Sequence, residues 1–259
     1  MTPVFLLLLF FSMSAMAAAA ALKGQVLAES KGVSDVIEKA NAGLTNLTSG
    51  DIAIVTDVQS NADPCTSAGC LWPKRKNVVS VYYKLDSAFN QAQKEGIMGV
   101  LSYIQHNTCI QFKRHRKKNT NHLNIFSGAG CWSYVGRQGN EQLLSLNKDG
   151  CLYTSIVQHE ILHALGFHHE HMRSDRNQHV IINWENIQEG KERNFNEVPT
   201  NNLGTPYDFD SVMQYSNTAF SKNGQPTIED INNPSHVFGY APSMSPNDIL
   251  RINRLYQCI

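Results

Sequence analysis

His159-Glu160-Ile161-Leu162-His163 sets two imidazoles four residues apart with a carboxylate between them. On an α-helix, positions i and i+4 stand one above the other on one face, so both rings can reach one ion without distorting the backbone. Gly166 follows. Glycine tolerates the left-handed conformation that ends helices, so the chain can turn there and bring His169 to the same ion from a second direction. Three neutral nitrogen ligands with a fourth position open describe a catalytic zinc site rather than a closed structural one. Zinc in such a site lowers the pKa of water to about 7. Glu160 points to one side of the ligand set but lies within reach of that water. It can take the proton as the water attacks a peptide carbonyl, then protonate the leaving amine. His159, His163 and His169 are the expected metal ligands, with one zinc per chain, and Glu160 is the expected base. The five-residue motif alone arises in unrelated proteins, but glycine and a third histidine at fixed spacing make the full string HEILHALGFHHE specific. His168, His171 and His179 are ligands on residue type alone. His168 adjoins His169 and should point elsewhere, and a surface or hydrogen-bonded structural role is expected for all three.

The helix that must carry the first two histidines is written in Tyr153 to Leu165, where Ile156, Val157, Ile161, Leu162 and Leu165 are apolar. A second helix is expected from Ala88 to His106, with Phe89, Ile97, Val100, Leu101 and Ile104 facing a core. Strands are expected at Val78 to Tyr83, Ile110 to Lys113, Leu123 to Phe126 and Leu143 to Leu146, with Gly128, Gly130, Gly136 and Gly139 marking loops. Beyond Gly166 the chain is rich in Asn, Asp, Gly and Pro and should be irregular until a last helix at Pro246 to Tyr256. The reading is mixed sheet and helix, with no internal repeat.

Length and composition allow one sizeable domain or two small ones, and an ordinary apolar content permits a real core. The 22 basic and 22 acidic residues balance, which gives no reason to expect nucleic acid or a charged membrane as partner. Phe5 to Phe11 and the alanines from Ala17 to Ala21 read as a secretory signal peptide over residues 1–21. Its apolar run is too short for a membrane anchor, which needs about 20 apolar residues. The expected location is secreted and extracellular. Six cysteines fit that compartment as disulfides, and the absence of any CxxC pair speaks against a cysteine zinc site. Residues 22–60 hold no cysteine or tryptophan, a short helical pattern at Val33, Ile37 and Ala40, and an N-glycosylation sequon at Asn46. They read as a propeptide. Composition changes at Asn61, where NADPCTSAGCLWPK opens a domain spanning 61–259.

HExxHxxGxxH with a downstream methionine turn is the metzincin pattern. His169-Glu170-His171, MRSDR at Met172 to Arg176, Ser211-Val212-Met213-Gln214-Tyr215 and the string from Ser127 to Gly136 (SGAGCWSYVG) resemble the astacin family. The start at Asn61, with its close cysteine pair, is similar to the six-cysteine astacins of fish, which include hatching enzymes and nephrosin-like proteases. The resemblance implies an α+β, two-lobed fold with a twisted N-terminal sheet plus helices, a largely irregular C-terminal lobe ending in a helix, and zinc at the floor of the cleft between lobes. It implies pairing of Cys109 with Cys258 and of Cys131 with Cys151, with Cys65 and Cys70 as an added pair. Met213 takes the place of the methionine beneath the metal. Tyr215 would ligate the resting metal, then swing to stabilise the oxyanion, a role suited to a neutral phenol donor. Glu170 would receive the new N-terminus after activation, or be a surface carboxylate. The family silences its proenzyme with a zinc-ligating aspartate in a Phe-x-Gly-Asp context. Here the match is Thr48-Ser49-Gly50-Asp51, which makes Asp51 the inhibitory ligand with Thr in place of Phe.

His122 to Phe126 resembles the upper edge strand of the cleft, which would offer unpaired amides to an extended protein or peptide substrate. Trp132 and Tyr134 either flank the cleft or pack as ordinary aromatics. The basic run Lys113 to Lys118 is either a solvated loop or a docking patch for an anionic partner. The expected activity is that of a secreted zinc endopeptidase made as a latent zymogen, hatching-enzyme-like or a nephrosin-like tissue or immune protease, acting as a monomer without nucleic acid or membrane insertion. A zinc-bearing matrix-binding protein without turnover is the rival class, disfavoured by the intact Glu160.

Overall fold

The structure, a computed structural model, describes residues 32–54, 69–116 and 121–258. The expected signal peptide, the junction at Asn61, Cys65, Lys117 and Lys118 lie outside the described residues. One eight-stranded sheet organises the N-terminal half. Its strands are β1 (Leu47–Thr48), β2 (Ile52–Ala53), β3 (Lys74–Arg75), β4 (Val78–Leu85), β5 (Ile110–Arg114), β6 (His122–Phe126), β7 (Cys131–Ser133) and β8 (Glu141–Leu146). The spatial order is β1-β2-β7-β8-β6-β4-β3, with β5 also on β4. β4, β6 and β8 run parallel, with Tyr83 opposite Leu123 and Ile125 opposite Leu144, and β7 returns antiparallel on β8. Alternation along β4 buries Val79, Val81 and Tyr83 and turns the intervening residues outward.

Four helices are described: α1 (Val33–Ala40), α2 (Gln91–Asn107), α3 (Thr154–Leu165) and α4 (Pro246–Leu255). Asn90 and Gln93 cap α2 reciprocally, and its Ile97, Val100, Leu101 and Ile104 pack into the sheet core. The same core takes in α3, which is buried from Ile156 to Leu165. An amphipathic pattern alone would leave one face of α3 in water, but here the whole run from Ile156 to Leu165 is enclosed. A second core, built from Val180, Phe195, Tyr207, Tyr215, Phe220 and Phe238, holds the C-terminal half. That half has little regular structure: a two-stranded pair, β9 (Val180–Ile182) with β10 (Ile228–Asp230), several short 3-10 turns, and α4. The fold is α+β with two cores, as expected.

Disulfides join Cys109 to Cys258 and Cys131 to Cys151. The first ties the start of β5 to the chain end, and the second ties β7 to the turn before α3. Cys70 is also disulfide-bonded. Lys113 and Arg114 of the basic run are exposed on β5, where Lys113 Nζ donates to Ser80 Oγ at 2.9 Å. Charges on an outer strand discourage edge-to-edge association. Among the described residues no helix is long and apolar enough to cross a membrane.

One expectation is overturned. His122–Phe126 is not an edge: β6 lies between β4 and β8. A five-residue apolar run does not reveal how many neighbours a strand has. β7 lies beyond β8 as an antiparallel return, and β2 of the N-terminal segment covers its other side, with Ile52 opposite Ser133 in parallel register. Trp132 of β7 packs edge-to-face on Phe126 and on Tyr134, with ring centroids 5.7 and 6.3 Å apart, and both Trp132 and Tyr134 are half-buried.

Candidate active site

α3 ends at Gly166, whose φ of 111° lies in the left-handed region. The chain reverses there and returns His169 to the helix face that carries His159 and His163. The three Nε2 atoms converge, at 3.1 Å for 159 to 163, 3.1 Å for 159 to 169 and 3.2 Å for 163 to 169. Two rings have their other nitrogen committed to a carbonyl: His159 Nδ1 donates to Val212 O and His163 Nδ1 to Phe167 O, each at 2.7 Å. A carbonyl only accepts, so these Nδ1 atoms carry the protons and the Nε2 lone pairs face inward. Burial pushes His163 down to about 3, against the pull of Asp51, and it also lowers His169, which favours the neutral form that a metal ligand needs in these two rings.

Asp51 completes the cluster. One carboxylate oxygen lies 3.1 Å from His159 Nε2, and the other lies 3.1 Å from His169 Nε2 and 3.5 Å from His163 Nε2. Three ring nitrogens and a carboxylate oxygen facing one another among buried side chains suit a cation. Ligands about 2.0–2.1 Å from a tetrahedral zinc are about 3.3 Å apart, so three nitrogens and a carboxylate oxygen at these separations fit that ion. The four residues form a group that could hold one metal ion.

Glu160 is fully buried beside this cluster, and neither of its carboxylate oxygens has a hydrogen-bond partner among the described residues. Burial first, then the Asp51 carboxylate, push its pKa well above the usual range. Met213 is buried in the main core with Leu162 and Val212, and its carbonyl accepts from Glu170 N at 2.9 Å, which ties the methionine turn to the segment of the third histidine. Tyr215 packs its ring on His169, with centroids 4.7 Å apart, and donates its hydroxyl to Ser49 O at 2.6 Å. Burial, then Asp51, raise its pKa well above the ordinary tyrosine value, so the phenol remains a donor.

Glu170 is not a surface carboxylate. It accepts from both ends of the Arg251 guanidinium at 2.6 and 2.7 Å, from Arg173 at 3.1 Å and from Asp208 N at 2.8 Å. His171 takes the hydrogen-bonded structural role: its Nε2 reaches Asn194 O at 2.9 Å and its ring lies 4.0 Å from that of Tyr215. His179 stacks on Tyr207.

Residues Ser49, Gly50 and Asp51 lie against Tyr215 and the histidine cluster. Gly50 sits at φ 84°, and a Cβ there would stand 2.8 Å from the Tyr215 hydroxyl and 3.1 Å from the Phe220 ring. Only glycine lets Asp51 approach the histidines past that wall. Thr48, which replaces the family's Phe, pairs with Ile52 across the β1–β2 turn. The sequence reading missed Asn41 and Glu38. The Asn41 amide donates to Cys131 O at 2.7 Å and accepts from Cys131 N at 2.8 Å, so a side chain occupies the backbone groups that β7 would otherwise offer to an added strand. Glu38 accepts from Phe220 N at 2.9 Å and from Gln188 Nε2 at 3.0 Å. Glu38 lies within the short helix that the pattern at Val33, Ile37 and Ala40 marks, and Asn41 caps its end, but nothing in the pattern shows what their polar side chains meet.

Comparison with known proteins agrees with this geometry. Residues 67–257 match the Astacin peptidase family. The low choriolytic enzyme of Oryzias latipes is 41% identical over 234 residues, which is 89% of this chain and 85% of that protein. High choriolytic enzyme 1 of the same fish is 43% identical over 214 residues, covering 82% of this chain and 78% of the relative. The solved structure of high choriolytic enzyme 1, a hatching enzyme zinc-protease from the medaka fish, superposes with a TM-score of 0.72 over 77% of this chain and 100% of its own, at 43% identity. Myroilysin, at 18% identity and a TM-score of 0.52, shares the fold. With its zinc-binding histidines in place and the match running through nearly all of the chain beyond residue 66, this chain belongs to the astacin family of zinc-dependent metalloendopeptidases.

Proposed function

We propose that the chain is the secreted, latent precursor of a hatching-enzyme-like protease, with residues 1–21 a signal peptide, 22–60 a propeptide and 61–259 the peptidase domain. The observation that carries latency is the placement of Asp51 against the three histidines, at 3.1 to 3.5 Å. Asn41 on Cys131 supports the same reading, since it fills the strand edge that a substrate would use. Exposed Asn46 is the glycan site of the propeptide. Similarity to two choriolytic enzymes supports an egg envelope as the natural protein target.

Zinc on His159, His163 and His169 supplies a Lewis acid and lowers the pKa of water to about 7. Every other part is protein. With the propeptide gone, β7 offers its Cys131 amide and carbonyl to an extended peptide. Glu160 takes the proton of the attacking water, and its raised pKa suits it to hand that proton to the leaving amine. Tyr215, released from Ser49, donates its hydroxyl to the developing oxyanion. Met213 packs under the ligands. Glu170 receives the new N-terminus at Asn61, beside a cavity of about 90 Å³ that Glu170, Arg173, Asp248 and Arg251 help to line.

Tyr215→Phe keeps the ring on His169 and deletes only the hydroxyl. An interaction made only in the transition state lowers kcat when removed and leaves substrate binding alone. In the matured chain kcat should fall clearly, with KM, folding and zinc content little changed. Zinc loss would make Tyr215 a structural ligand, and unchanged kcat would leave it a core residue. The substrate is tested on isolated fish egg envelopes. The matured chain should release soluble peptide from them; intact envelopes beside efficient casein cleavage would assign it another protein target.

A further inference from the structure

His159 and His163 orient their rings through different kinds of partner. For His163 the partner is local, since Phe167 O is four residues away on the same chain reversal. For His159 it is remote: Val212 O, on the methionine turn, is 53 residues away. Whatever holds Val212 in place therefore sets the orientation of the first ligand.

The holder is Asp248. Its carboxylate is 1% exposed and sits in the first turn of α4. Oδ1 accepts from Ser211 Oγ at 2.6 Å, and Oδ2 accepts from Val212 N at 3.1 Å. Ser211 Oγ in turn accepts from Met213 N at 3.0 Å. One carboxylate thus grips three consecutive residues of the turn, two directly and the third through a hydroxyl. The same carboxylate caps α4, taking Ser245 N at 2.9 Å while Ser245 Oγ accepts from Asp248 N at 3.0 Å. The strand of chain entering α4 also fastens α3: Met244 N donates to Gln158 Oε1 at 2.8 Å, one residue before His159. The entry to α4 therefore holds both walls of the ligand, the helix on which His159 rides and the carbonyl that its Nδ1 meets.

We propose that Asp248 is a positioning residue for the metal centre, acting through Val212 to fix the ring orientation and tautomer of His159. A carboxylate is the acceptor this position needs, because hydroxyl and amide donors converge on both of its oxygens. An asparagine would turn an NH₂ group toward some of those donors and loosen the turn. Loss of such an outer partner costs about 10–100-fold in metal affinity.

The test uses the full chain with zinc. Asp248→Asn should weaken zinc binding about 10–100-fold in chelator competition. It should also shift the visible bands of the cobalt-substituted protein, a readout of ligand geometry independent of turnover. Ser245→Ala removes the hydroxyl half of the cap on α4, together with the bond from that hydroxyl to Asp208 Oδ2, but leaves the grip of Asp248 on the turn. It should lower Tm and leave zinc affinity and cobalt bands unchanged. If Asp248→Asn does not fold, Ser211→Ala serves in its place, since it cuts the hydroxyl links to Ser211 and Met213 and spares both the cap and the bond from Val212 N; it should weaken zinc in the same direction to a smaller degree. Unchanged zinc affinity and cobalt spectrum in a folded Asp248→Asn, or unchanged affinity in Ser211→Ala, would overturn the proposal. So would an equal zinc loss in Ser245→Ala, which would reduce Asp248 to a helix cap.

Discussion

Glu160→Ala in the matured chain should cut kcat at least about 100-fold with a full zinc complement retained, the scale expected when a positioned acid-base group is removed. The three imidazoles owe their convergence to α3, the Gly166 reversal and the carbonyls of Val212 and Phe167, none of which involves Glu160. The carboxylate is buried with no hydrogen-bond partner among the described residues, so its loss breaks no polar contact that holds the site together. Removing a buried acid that carries a raised pKa should also leave Tm unchanged or higher. Kinetics on casein, zinc content by atomic absorption and a melting curve check the three parts. Near-normal turnover with correct metal content would show that another group acts as the base.

The second large effect concerns latency. The unprocessed chain should be silent, and a chain beginning at Asn61 should be active. Asp51→Ala in the unprocessed chain should give activity without cleavage, because the carboxylate within 3.1 Å of two Nε2 atoms is gone. That activity should stay below the level of the shortened chain. Asn41 still covers Cys131, and Glu38 still binds Phe220 N and Gln188. A fully silent Asp51→Ala variant would mean that Asp51 is not the inhibitory ligand and that steric cover by Asn41 and α1 suffices for latency.

Much of the catalytic centre is written locally in the chain. The ligand set follows from i, i+4 spacing and a glycine at the helix end, and α3 runs from Thr154 to Leu165, within one residue of the expected start. α2 and α4 match their apolar patterns to within a few residues at each end. What the chain does not display is which distant pieces meet. β6 reads as an edge strand but has neighbours on both sides, because strand order is a property of the whole sheet. Asn41 imitates a peptide group only because the fold sets it against Cys131, 90 residues away. Asp248 looks like an ordinary capping acid, Ser-Pro-Asn-Asp opening a helix, and its grip on residues 211–212 appears only once the methionine turn is folded beside it. Glu170 stands next to a ligand in sequence, yet its buried pairing with Arg251 links residues 81 apart.

The central claim is that peptide hydrolysis depends on a zinc ion held by His159, His163 and His169. Metal is stripped from the matured chain with a chelator, its absence is verified by atomic absorption, and zinc is titrated back while casein cleavage is followed. Activity should be lost in the metal-free protein and should rise linearly with added zinc to a plateau at one equivalent, the capacity of a single cluster. Full activity in verified metal-free protein would contradict the account.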